Sequence, residues 1–294
     1  MGDRCVGQGA LMLLLSALLS LLLATCGSEA LVVSARNPKN FIAAADQEED
    51  NLLNKITLTQ KNYIQFIKYL IEVPRLPSFT FCLWMKSLNM TNPQPIFSYS
   101  RDEKERYARV WISPPGSGAD GGADEGEVSG AAHINLRIHE EPVASVPIPD
   151  MRVGRWHHTC LHWTSGMDAE QGMWLLFFDG GLRGKAVYSA KGDPEAVLPA
   201  GGEVAVGQEL TDFDQGLDDG FEGELFGFNL ATGPWEGLGK TLYETSYNQC
   251  TLRGGGSPPA TDGKSTLLVD WAKTPIRAYG GLLVSPAKAS CGNF

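Results

Sequence analysis

The chain has 294 residues, 43% of them hydrophobic, which is enough apolar material for one large domain with a real core. Its formal net charge is −10, with 24 Lys and Arg against 34 Asp and Glu. That balance, with no basic cluster anywhere, weighs against nucleic acid or an anionic membrane surface as the main partner, because both require clustered cations.

Residues 1–30 read as a secretory signal. Arg4 and the amino terminus precede an apolar run from Ala10 to Ala24, and Thr25-Cys26-Gly27-Ser28-Glu29-Ala30 follows. The run is shorter than the ~18–20 residues of a spanning helix. The small residues after it offer cleavage between Ala24 and Ala30; an uncleaved anchor is the alternative. No later segment is long and apolar enough for a transmembrane helix. The expectation is a secreted, extracellular protein.

Residues 31–54 are polar and mixed and read as an N-terminal linker with room for a first strand. The main domain is expected over residues 55–294. There, segments of alternating polarity, rich in aromatic and β-branched residues, are separated by turn residues, the pattern of an all-β sandwich or barrel. In Phe79-Thr80-Phe81-Cys82-Leu83-Trp84-Met85, period two puts Phe79, Phe81, Leu83 and Met85 on a core face and Cys82 on the other. Further strands are expected over 95–99, 107–113, 132–139, 156–164 and 173–178. Asp179-Gly180 closes the last of these as a hairpin turn. Strands over 203–206, 223–229, 266–271 and 278–284 complete the set, with one short helix over 235–247. Residues 113–130 (SPPGSGADGGADEGEVSG) form a Gly-rich, acidic insertion with nothing to bury, and residues 253–263 form a second such loop. No internal repeat is visible.

Of the six cysteines, Cys5 and Cys26 lie in the leader region, leaving Cys82, Cys160, Cys250 and Cys291. In an oxidising compartment these four imply two disulfides with three possible connectivities. None forms a C-x-x-C pair of the structural-zinc kind. Asn89-Met90-Thr91 is a glycosylation sequon.

Several motifs dissolve on inspection. The formal G-x-G-x-x-G at Gly116–Gly121 lacks the helix a dinucleotide site requires. His158 and His162 share a strand face but stand about 13 Å apart at the usual rise per residue, too far for one ion. There is no G-x-S-x-G elbow and no paired-carboxylate motif of the β-glucanase kind. His139-Glu140-Glu141 is not a zinc-protease motif. The informative stretch is Gln208–Gly220, which opens a run from Glu209 to Glu224 holding seven carboxylates and no Lys or Arg. Such crowding is self-repulsive. Calcium would relieve it through six to eight oxygen ligands; a solvated acidic turn is the plainer reading.

His158-Thr159-Cys160-Leu161-His162-Trp163-Thr164-Ser165 resembles the pentraxin signature H-x-C-x-[ST]-W-x-[ST], with His162 where Ser or Thr is usual. Phe79–Leu83, Ile96–Tyr99, Phe178-Asp179-Gly180, Val206–Glu209, Phe221–Glu224, Leu268–Trp271 and Tyr279-Gly280 resemble other pentraxin segments in the same order, so the likeness covers roughly residues 55–294. The resemblance implies a concanavalin-like jelly roll of two antiparallel sheets with one short helix. It implies Cys82–Cys160 and Cys250–Cys291 bridges, the first expected to clamp the two facing sheets together. It also implies a calcium-held ligand of the phosphocholine, phosphoethanolamine or carbohydrate class, often in a cyclic homo-oligomer. By the same likeness Glu209 matches a calcium ligand, Leu210 would contribute its backbone carbonyl, and Asp218 matches a later acidic ligand. Asp212 stands one step beyond Thr211, where the family has Asp. The family's Asp-Asn pair falls near Glu105 and Arg106, and an arginine is a poor neighbour for calcium. The expected function is a secreted, non-enzymatic recognition protein, with innate-immune recognition as the family context. The alternative is a metal-independent, laminin-G-like module that binds extracellular protein partners. A glycosidase would need two carboxylates facing each other across a groove.

Overall fold

The computed structural model describes residues 31–34 (backbone only), 53–60, 64–102, 105–116, 130–166, 171–189, 196–209, 220–248, 263–288 and 291–294. Residues 1–31 and 32–294 separate into two units, and the second holds the sandwich. The leader, most of the Gly-rich insertion and the second Gly-rich loop lie outside the described residues.

Two antiparallel sheets make the fold. The first runs β1 (Leu31–Ser34), β15 (Pro275–Tyr279), β3 (Phe66–Tyr69), β12 (Glu203–Val206), β5 (Gln94–Ser100), β6 (Arg106–Ser113), β7 (Ala132–Ile138), β8 (Glu141–Ile148). The second runs β11 (Gly181–Ser189), β10 (Gln171–Phe178), β9 (His157–Thr164), β4 (Ser78–Ser87), β13 (Gly223–Thr232), β2 (Asn54–Leu58), β16 (Leu283–Pro286), with β14 (Thr266–Val269) paired to β13. The expected core face of β4 is where the alternation puts it: Phe79, Phe81, Leu83 and Met85 are all fully buried. Phe79 and Phe81 meet Phe97 of the facing sheet at centroid distances of 5.5 and 5.1 Å, and Phe228 stacks beside them at 5.9 Å from Phe81. Offset aromatic pairs at these separations add to the burial that holds the layers together.

The sequence reading passes over β2, β3, β8 and β11. β8 carries Pro142 and Pro147, which read as breakers. It pairs only with β7, so it can spare the N–H groups that proline lacks. β11 carries Gly181 and Gly184 and is likewise an edge. The single strand expected over 278–284 is two strands, parted by Gly280 and Gly281, both at positive φ. The expected helix is a π-helical turn (Trp235–Gly239) leading into α1 (Lys240–Asn248), with non-helical φ/ψ at Gly237. A Cβ on Gly239 would come 2.7 Å from Thr80 Oγ1, so glycine lets this turn sit directly on β4. Leu238 and Leu242 then cover Cys82, Cys160 and Ala231 in a small second core on the outer side of the sheet.

The Cys82–Cys160 disulfide is present, but its role differs from the expectation. The two residues stand directly opposite on neighbouring strands β4 and β9, so the bond crosses one sheet. Cys82 faces away from the core and cannot reach the facing sheet. Among the described residues, the apolar core between the sheets holds the layers together. Cys291 is also disulfide-bonded; Cys250, its expected partner, lies outside the described residues.

Because the Cys82–Cys160 bond closes a separation of 78 residues, the chain-entropy picture makes it worth about 4–5 kcal/mol. A Cys82→Ala/Cys160→Ala protein should lose about that much in urea titration while keeping native circular dichroism. An unchanged midpoint would contradict this.

Candidate functional site

Strand register brings one set of polar side chains onto the outer face of the first sheet. Arg277, Lys68, Ala205, Ser98, Arg109 and Arg137 are successive cross-strand partners on β15, β3, β12, β5, β6 and β7. Their strand neighbours Val110 and Leu136 are buried in the core, so the row faces outward. Trp111 is the register partner of Asn135. The guanidinium carbons of Arg109 and Arg137 each lie 6.0 Å from the Trp111 ring centroid, within cation–π range.

Two turns bring carboxylates to this row. After β12 the chain bends at Gly207, which has φ +92°. Ser98 Oγ donates to the Gln208 carbonyl at 3.1 Å, holding the segment over β5. Glu209 thereby reaches Arg109, whose Nη1 donates to its Oε2 at 3.0 Å. The β7–β8 hairpin turns through His139 and Glu140, both at positive φ, and Glu140 takes a second hydrogen bond from Arg109. The Arg109 and Glu209 side chains are only 13% and 17% exposed, so water screens the pair weakly. Arg109 Nε, Gln208 Oε1 and Asn135 Oδ1 are buried and find no hydrogen-bond partner among the described residues.

Of the calcium ligands drawn from the sequence, only Glu209 lies among the described residues. Glu209 is in place, but a guanidinium already holds its carboxylate. Glu105 accepts from the Tyr107 hydroxyl and pairs with Arg101 at 2.9 Å. Burial first, and the hydrogen bond to Glu105 second, push the Tyr107 hydroxyl up to about 12. Leu210, Asp212 and Asp218 lie outside the described residues. Among the described residues, the one group with metal-ligand spacing is Cys82, His158 and Cys160, and its thiols are spent in the disulfide. Glu224, counted in the acidic run, is a structural ion pair. Burial would raise its carboxyl, but hydrogen bonds from Lys86 and Lys55 and their charges hold it below the ordinary range.

The pentraxin-like stretch lies on β9. His157 Nδ1 bonds Asp179 at 2.7 Å, and Asp179 also accepts from the His158 backbone N–H at 2.9 Å. His158 Nε2 and Ser246 Oγ are 2.9 Å apart, linking β9 to α1, while the ring lies against Trp84 and Tyr247. His162, the departure from the signature, bonds Thr80 on β4 at 2.8 Å beneath Trp235.

No family model matches the chain. Among curated proteins it is 27% identical over 216 residues to pentraxin-related protein PTX3 of Homo sapiens, covering 70% of this chain and 46% of that one. It is 25% identical over 245 residues to C-reactive protein 1.4 of Limulus polyphemus, covering 81% and 88%. Among solved structures it matches a native heptameric SAP-like pentraxin from Limulus polyphemus with a TM-score of 0.56 at 18% identity, covering 82% of this chain and 97% of that one. The chain is thus similar to pentraxins in sequence and in fold. It spans about half the length of the PTX3 relative and most of the Limulus C-reactive protein.

The site differs from its outline in the sequence mainly by Arg109, Glu140, Trp111 and Arg137. The pattern Arg109-Val110-Trp111 does show an outward Arg and Trp. That Arg109 meets Glu209 and Glu140 depends on register across three strands and on two turns. Asn89 is half-buried: its side-chain amide donates to Glu222 at 3.0 Å, and the Thr91 hydroxyl donates to Asn89 Oδ1 at 2.8 Å.

Burial lowers His158 from 6.5 to about 3 against a smaller opposing pull from Asp179, and lowers His162 from 6.5 to about 4. The unfolded chain protonates both rings below about pH 6.5, and the folded chain does so only near their lowered values. The stability gained by keeping them neutral is therefore full above pH 6.5 and drains away as pH falls toward 4 and then 3. Urea titrations between pH 7 and 4 should show it falling by roughly 1 kcal/mol or more per pH unit for each ring. His158→Gln should flatten that slope. A slope identical to wild type would show that His158 does not titrate this way.

Proposed function

We propose that this chain is a secreted, pentraxin-like recognition protein that binds a phosphocholine-type or carbohydrate ligand on the outer face of the first sheet and performs no catalysis. One observation carries the reading: the outward row at Arg109 and Arg137, set against Trp111. Guanidinium forks match phosphate oxygens, and their N–H groups can also donate to sugar hydroxyls. The likeness to pentraxins supports ligand binding in general, and the heptameric Limulus structure supports self-association as part of the same reading. The leader, the Cys82–Cys160 bond and the Asn89 sequon support an oxidising, extracellular setting. No described helix is long and apolar enough to cross a membrane.

Catalysis finds little support in the one close Ser–His pair above. Hydrolytic triads orient the histidine with a carboxylate on its other nitrogen. His158 Nδ1 is buried with no partner among the described residues, and Asp179 serves His157 and the backbone instead. A second reading, metal-independent binding of an extracellular protein partner in the manner of laminin-G modules, is favoured by one observation: the guanidinium already seated on Glu209.

Purified protein on phosphocholine and carbohydrate arrays should bind at least one class, and Arg137→Ala should weaken that binding about tenfold or more. Silence on every array, together with capture of a defined extracellular protein partner, would replace this reading by the second. Protein secreted from animal cells should also lose mass on treatment with an N-glycosidase, and Thr91→Ala should abolish that loss. A wild-type mass unmoved by the enzyme would remove Asn89 from the account.

A further inference from the structure

The carboxylates of Glu209 and Glu140 come from separate turns and converge on one cation, the guanidinium of Arg109. We infer that Arg109 is a built-in replacement for calcium at Glu209: it closes this edge to the metal and leaves ligand recognition there metal-independent. The inference rests on the outer face of the first sheet being the ligand face, and it deepens that reading.

Its physical basis is the competition between a fixed and a diffusible cation. A guanidinium presents several N–H donors in a rigid fork and can hold two carboxylates at once. Arg109 does so from mid-strand, flanked by the buried residues Ala108 and Val110, with its guanidinium near Trp111. Calcium needs six to eight oxygens in its own shell. To take Glu209 it would have to strip the carboxylate from Arg109 and then sit beside a like charge in a weakly screened place. Among the described residues, the other groups around Arg109 do not offset this. Its cross-strand neighbours are Ser98 and another cation, Arg137, and the Gln208 carbonyl already accepts from Ser98. The chelating role given to Glu209 by the pentraxin likeness is thus met from inside the chain.

The competition can be read without any ligand, so its outcome is separate from whether the face binds phosphocholine or sugar. Calcium chloride at millimolar concentration is titrated into wild type, Glu209→Gln, Arg109→Ala and the Arg109→Ala/Glu209→Gln double variant, with thermal shift and calorimetry as readouts. Wild type and Glu209→Gln should respond identically to calcium, whatever the acidic loop beyond Glu209 contributes. Arg109→Ala should gain a calcium-dependent rise in Tm that wild type lacks, and the double variant should lose that gain. A wild-type calcium response abolished by Glu209→Gln would overturn the inference, as would an Arg109→Ala protein that folds and gains nothing. If Arg109→Ala does not fold, the comparison of wild type with Glu209→Gln decides alone.

Discussion

Strand β4 is the element on which both layers of this protein depend. The two-residue period of a strand sends Phe79, Phe81, Leu83 and Met85 into the core and turns Thr80, Cys82 and Trp84 outward. The inward set meets the facing sheet through Phe97 and thereby fixes the sandwich. The outward set bonds His162, closes the disulfide with Cys160, and gives Trp84 Nε1 to the Ser246 carbonyl at 3.0 Å. A slip of one residue in β4 would exchange the two sets, taking Phe79, Phe81, Leu83 and Met85 out of the core and leaving the helix without a seat.

That dependence explains what could be read from the sequence. The core stripe of β4 was legible because alternation is a local property. The Asp179-Gly180 hairpin was legible too, and both residues do take positive φ. Edge strands β8 and β11 were not, because an edge strand tolerates the Pro and Gly that would break a central one. The cysteine pair follows from the likeness to pentraxins, and the outer face that alternation gives Cys82 is incompatible with a clamp between the sheets. Since the bond crosses one sheet, cohesion between the layers rests on apolar burial.

The ligand face was only half legible. Glu209 stood out as the head of an acidic run, which made calcium the natural counter-charge. The counter-charge that the structure supplies is Arg109, about a hundred residues earlier in the chain. Nothing local in the sequence ties the two together. Their meeting requires β5, β6 and β12 to pair in register and Gly207 to turn the chain back over Ser98. Carboxylate-rich loops next to sheets therefore need their cross-strand neighbours known before a metal is assigned to them.

A crystal structure grown in millimolar calcium would test this most directly. The account predicts the Arg109 guanidinium seated between Glu209 and Glu140, with no ion on either carboxylate. Calcium bound to Glu209, with the arginine swung away, would contradict it.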